Sequence, residues 1–213
     1  MTVQGRQELS AKKQEQGFLL RLALLALCFL AGVILGQVLA GRVPPEIGQE
    51  LERYLTGYFS LDRKQSADQK VLLSTLMIYF RYPALAFLLG FSSIGIVLLP
   101  ALSLAYGFFL SFSVCCFTAS FGGGGVLLAL AVFGLRCVVT LPCYFALAVP
   151  SLRNAVSLAA LSVGRGRRVQ PVQYGAVWWK RLGITAVILL CGVMADLFLS
   201  PAFLNLVLSR ILS

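Results

Sequence analysis

From Tyr82 to Leu135 the chain runs 54 residues without a charged side chain, bounded by Arg81 and Arg136. One bilayer crossing takes roughly 20 apolar residues, so this run has room for two crossings. It is far too long for one buried helix of a water-soluble domain. Apolar stretches at 22–41, 137–152 and 182–209 surround it, the last interrupted only by Asp196. Lipid is therefore the solvent that decides the fold. Charged residues make up 12% of the chain and the mean hydropathy is +0.87, whereas soluble domains carry about 25% charge. The expected fold is all-α: a polytopic helical integral membrane protein with about five transmembrane helices and amphipathic helices in its outer loop.

Residues 1–17 read as a polar cytoplasmic tail and 18–41 as the first transmembrane helix. The apolar stretch from Leu22 to Ala40 exceeds the roughly 7–15 residues of a signal peptide core, so this helix is expected to be retained. Residues 42–82 form an extracytoplasmic segment that opens with Pro44-Pro45. Within it Ile47, Leu51, Tyr54, Leu55 and Tyr58 share one face at helical spacing. A further helix is expected from Ser66, with Gln69 as its capping partner, running to the interfacial pair Arg81-Tyr82. Residues 83–150 hold three transmembrane helices, at about 83–99, 101–121 and 126–150. Pro100 is the expected break between the first two, and Gly122-Gly123-Gly124-Gly125 the turn before the third. Residues 151–181 are a basic cytoplasmic loop. Residues 182–213 carry the fifth helix and the C-terminal end, entered through the interfacial anchor Trp178-Trp179-Lys180-Arg181.

Charge sets the orientation. Loop 153–181 carries six Lys/Arg and no acid, and the tail adds Arg6, Lys12 and Lys13. Segment 42–81 has six basic residues but also five acids. Because acids count little in the positive-inside rule, nine against six places the N-terminus inside and residues 42–81 outside. The same rule accounts for the net charge of +10, so no nucleic-acid partner is expected; the basic residues flank apolar segments and form no aromatic-rich module. All six cysteines lie within apolar segments and the chain has no His, which argues for packed thiols and against a disulfide framework or a zinc site.

Two ionisable residues sit at depth, where each is costly and marks a pairing or a function. At about 1.5 Å per residue, Arg136 lies roughly 15 Å and Asp196 roughly 12 Å below the outer ends of neighbouring helices. An intramembrane Arg136–Asp196 ion pair is the expectation, as a structural clasp ahead of a relay or a counter-charge for substrate. Gly32 and Gly36 form a small-xxx-small pair suited to close helix contact, within the chain or with a second copy in a homo-oligomer; Gly90 and Gly95 extend the pattern. Tyr54, Tyr58 and Phe59 give the outer segment an apolar face for lipid, for the ends of the spans, or for a partner.

Several chemistries lack their residues. Without His there is no metalloprotease helix motif and no His-based serine catalysis. One intramembrane Asp makes no aspartyl dyad, no phosphate-binding Gly-Lys-Ser/Thr follows the glycine runs, and no lysine lies in a span to serve a nucleophilic serine. The chain reads as non-enzymatic, with no cofactor and no metal, and with membrane lipid as its first partner.

Gly32-Val33-Ile34-Leu35-Gly36, Phe87-Leu88-Leu89-Gly90 followed by Ser93-Ile94-Gly95, and Leu199-Ser200-Pro201 resemble the stage II sporulation protein M family. The overall plan is similar too, and an acid near the end of the last helix, here Asp196, fits. One departure is Gly134-Leu135-Arg136, where family members tend to carry Pro followed by polar residues, although Pro142 matches. The resemblance implies a scaffold in the mother-cell membrane at the sporulation septum. It would bind the peptidoglycan-degrading stage II sporulation proteins D and P for forespore engulfment. A small permease or transporter subunit is the alternative, because Pro83, Pro100, Pro142 and Pro150 suit the broken helices that line substrate paths.

Overall fold

The computed structural model describes residues 3–42, 69–121, 134–162 and 175–211. Among them are five helices and no strands: α1 Val3–Ala40, α2 Gln69–Leu89, α3 Gly95–Phe121, α4 Leu135–Ser162 and α5 Ala176–Ile211. Four carry stretches long and apolar enough to cross a membrane: Glu15–Ala40, Gly95–Cys116, Arg136–Ser162 and Ala176–Asp196. The apolar part of α2, Thr75–Leu89, is shorter; at about 1.5 Å per residue it covers roughly 22 Å of a hydrocarbon core about 30 Å thick. The glycine turn at 122–125 and the residues Tyr54, Tyr58 and Phe59 lie outside the described residues.

Neighbouring side chains fix the direction of each helix. Leu25 shares a cluster with Leu99, and Gly36 meets Phe108 and Phe112, so α1 and α3 run parallel. Tyr144 meets Ser103, and Thr140 meets Tyr106, so α4 runs against α3. Tyr79 lies by Arg136 and Gly90 by Ser151, so α2 runs with α4. Val139 faces Gly192 and Arg136 meets Asp196, so α5 runs against α4. The five helices alternate up and down. One end of the bundle gathers Arg21 and Arg153, which sense each other's charge, near Lys180 and Arg181 at the start of α5. The positive-inside rule assigns that end to the cytoplasm.

Several expected boundaries fall elsewhere. Helix α1 begins fifteen residues earlier than the apolar pattern, because the tail from Gln7 to Gln16 is rich in the helix formers Gln, Glu, Lys and Ala. Residues 69–89 form one helix, so 69–82 belong to the bundle and not to an outer loop, and no boundary falls at Arg81–Pro83. The break expected at Pro100 is not there: Pro100 lies inside α3, and Pro83 inside α2. The chain turns instead at Gly90–Ile94. Gly90 N donates to Phe87 O at 3.0 Å and Gly95 N to Ser92 O at 3.1 Å, and Ile94 N donates to Ser92 Oγ at 3.3 Å. A proline in the second turn of a helix removes one hydrogen bond, which membrane helices tolerate, whereas Gly90-Phe91-Ser92-Ser93 offers a hinge and side-chain acceptors. Helix α4 likewise continues through Pro142 and Pro150 and takes the first twelve residues of the expected basic loop. Leu152 and Ala155, both buried, explain this: that extra length covers the α2–α3 turn.

The closest backbone contact joins α1 to α3. A Cβ at Gly32 would collide with the Leu104 carbonyl, and one at Gly36 would lie 2.7 Å from Phe108 O. Gly107 answers from α3, meeting the Phe29 carbonyl. The small-residue face of α1 is thus spent within the chain on α3. Of the two uses expected of it, this is the contact within the chain. Gly90 and Gly95 instead face α4, at Ser151 and Ala155. Around these seams pack Leu25, Leu99, Tyr106, Tyr144 and Leu152 in one cluster. Tyr79, Cys143, Leu189 and Val193 form a second.

Two outcomes test this architecture. Gly107→Leu should destabilise the protein in detergent by about 1–3 kcal/mol or more through overpacking. Gly183→Ala, where nothing lies within 4 Å, should be neutral or stabilise by up to about 1 kcal/mol; thermal unfolding of both variants reads the contrast. An epitope inserted between residues 42 and 69 should be reached only from outside intact cells, since α1 ends and α2 begins at the bundle end opposite Arg21 and Arg153.

Candidate functional site

Arg136 is the second residue of α4 and Asp196 lies in α5, four residues after Gly192. Antiparallel packing brings them level. Arg136 Nη2 donates to Asp196 Oδ2 at 3.0 Å, with the side chains 24% and 6% exposed. Gly192 makes the approach possible, since a Cβ there would lie 2.7 Å from Val139 Cγ1 and 3.2 Å from Tyr79 Cε1. One helical turn later the carboxylate arrives on the same face, within reach of the guanidinium. The Arg136 Cζ also sits 5.4 Å from the centroid of the Tyr79 ring, a cation–π contact from α2. Three helices therefore meet on one arginine.

A ladder of hydroxyls continues down α4. Thr140 Oγ1 donates to the Arg136 carbonyl at 2.8 Å. Its one proton is spent there, so the Tyr106 hydroxyl, 2.7 Å away, is the donor to Thr140. The same logic holds a turn lower: Ser103 Oγ donates to Leu99 O at 3.1 Å, so Tyr144 donates to Ser103 at 2.7 Å. These bonds stitch α3 to α4 with every proton assigned. The Tyr106 ring in turn stacks on Tyr82 of α2, centroids 4.2 Å apart and 16° from parallel. At the other end of the bundle, Phe87 of α2 stacks on Trp178 of α5 at 5.1 Å.

Chemically the arrangement is an electrostatic clasp. The Asp196 carboxylate is engaged by Arg136, and the protons of Thr140 and Ser103 are on backbone carbonyls, so neither hydroxyl has a base beside it. Among the described residues no three His, Cys, Asp or Glu side chains converge as metal ligands. Sequence reasoning named Arg136 and Asp196 but missed Tyr79, Gly192, Tyr106 and Gly107. The signal for Gly192 was its spacing of four from Asp196. The aromatic partners left no signal, because α3 is apolar on every side.

The model of the stage II sporulation protein M family matches residues 25–203, from the middle of α1 through most of α5. The chain belongs to that family. No curated protein and no solved structure matches it. This stage II sporulation protein M family member is thus a helical, multi-pass membrane protein with a role in sporulation. Its family is named for a developmental stage and not for a reaction.

Removing one partner of a buried pair leaves the other uncompensated, at a cost of about 3–5 kcal/mol. Arg136→Gln should destabilise the protein on that scale, since it strands the buried Asp196 carboxylate, and Asp196→Asn less, since the guanidinium it leaves behind is partly exposed. Combined, they should cost clearly less than the sum of the two. Additive losses in chemical unfolding from mixed micelles would show that the two side chains do not depend on one another.

Proposed function

We propose that this protein is a non-catalytic membrane scaffold in endospore formation, holding peptidoglycan-degrading proteins at the septum while the mother-cell membrane engulfs the forespore. Family membership over residues 25–203 is the observation that carries this reading. The bundle supports it physically. Arg136 and Asp196 are used in a mutual clasp, the protons of Ser103, Thr140, Tyr106 and Tyr144 are committed to carbonyls and to one another, and close helix contacts hold the bundle together as an anchor. Stage II sporulation proteins D and P are the proposed partners, and the septal mother-cell membrane the proposed site of action.

The permease alternative rested on helices broken at proline. In the structure Pro83, Pro100 and Pro142 lie inside continuous helices, as does Pro150, so the feature that favoured it is missing. The scaffold reading is the one retained.

Affinity purification of the tagged chain from sporulating cells, in mild detergent, should recover the two wall-degrading proteins. The Gly107→Leu variant should lose them in proportion to its loss of folded protein. Recovery of the folded chain without either protein would refute the scaffold assignment. Substrate uptake by vesicles containing the purified chain alone would restore the transport reading.

A further inference from the structure

Helices α2 and α3 splay apart from their turn at Gly90–Ile94, and α4 closes the back of the gap. The resulting cavity, about 210 Å³, is lined by Tyr79, Arg81 and Tyr82 of α2, Tyr106 and Ser113 of α3, and Arg136 of α4. Arg81, expected at the membrane surface, stands instead nine residues before that turn, in the middle of the apolar part of α2. Its guanidinium carbon lies 5.6 Å from the centroid of the Tyr82 ring, and among the described residues no carboxylate pairs with it.

The hydrogen-bonding capacity of this cavity is one-sided. The Tyr79 hydroxyl and Arg136 Nε are buried without a hydrogen-bond partner, and Tyr79 is wholly inaccessible. Arg81 adds a five-donor fork. Ser113 gives its proton to Phe109 O at 2.8 Å, while Thr140 and Tyr106 are engaged with each other. Asp196, the acid at this level, is engaged by Arg136. The cavity therefore offers a ligand the unshared donors of Arg81 and one uncompensated positive charge in an apolar setting. Such a site takes a ligand that brings negative charge and acceptor oxygens. Its mouth is flanked by Ile78 and Phe109, about half exposed, which suits a ligand with an apolar body next to its charge.

We propose that the groove between α2 and α3 binds the phosphate of an anionic phospholipid, with Arg81 as its main ligand, Arg136 as a further donor, and the acyl chains along Ile78 and Phe109. A guanidinium matches a phosphate in geometry as well as in charge. The inference concerns the bundle itself and stands whether or not the scaffold reading does.

Native mass spectrometry of the full chain in neutral detergent tests it, with phosphatidylglycerol, phosphatidylcholine and inorganic phosphate added in parallel. Phosphatidylglycerol should be retained about tenfold better than phosphatidylcholine, the scale of one or two charge-assisted hydrogen bonds. Arg81→Gln should reduce it to the phosphatidylcholine level. Ser113→Asp, which places a competing acid in the wall, should do the same, and Lys180→Gln, which removes an exposed charge outside the groove, should change nothing. Equal retention of the two lipids would overturn the proposal, as would an equal effect of Lys180→Gln. Full displacement of phosphatidylglycerol by millimolar inorganic phosphate would identify a small-anion site instead. Loss of the wall-degrading proteins in Arg81→Gln with lipid binding unchanged would identify a protein interface and also defeat it.

Discussion

Hydrocarbon makes no hydrogen bonds, and that constraint organises this bundle more than any single contact. Serine and threonine hydroxyls return to carbonyls one turn back on their own helices, as Ser103, Ser113, Thr140, Ser151 and Ser157 do. Tyr144 and Tyr106 then reach across from neighbouring helices to two of those oxygens, on Ser103 and Thr140. The charge of Asp196 is met by Arg136, and Arg136 also meets a tyrosine ring. Because lipid is as apolar as leucine, helices gain nothing by hiding oily side chains from it. What holds them is close backbone approach at Gly32, Gly36 and Gly107, together with these polar ties.

The placement of the ties follows from the alternation of the helices. Antiparallel neighbours set residues from opposite ends of the chain at one level, as with Arg136 and Asp196, sixty positions apart. The parallel pair α1 and α3 lies close enough at its glycines for carbonyls to touch where a methyl group would stand, and at Gly90 the Ser151 side chain of α4 takes that place. α4 is the common element: it contacts α3 through hydroxyls, α2 through Tyr79 and Gly90, and α5 through the ion pair. A change in α4 is felt by the whole bundle.

The parts of this that were legible in the sequence were those where polarity varies. Arg136 and Asp196 stand alone in oily surroundings on neighbouring helices, which was enough to pair them, although the described α4 begins at Leu135 and α5 runs to Ile211, so the helix ends counted from were not the observed ones. Gly32 and Gly36 announced a close contact, but not its partner, because Gly107 lies in a helix with no polar face to give its orientation. The same uniformity hid the turn. Within 54 uncharged residues, Pro100 looked like the strongest break, yet a proline removes one hydrogen bond, while the Gly90-Phe91-Ser92-Ser93 stretch can both bend and cap. Helix α4 ran past its expected end because Leu152 and Ala155 found a surface to cover, and no local pattern shows that surface.

The short apolar stretch of α2 has a consequence for how the protein is made. Fifteen residues, one of them arginine, are a poor signal for insertion by themselves. Joined to α3 by a five-residue bend, α2 has to enter lipid as one leg of a hairpin whose other leg is strongly apolar. Its groups that face inward, Tyr79 and Gly90, find their counterparts only on α4 and α5, which leave the ribosome later. The first and third helices thus have their contacts as soon as both are inserted, whereas those of the second are complete only once α4 and α5 have followed.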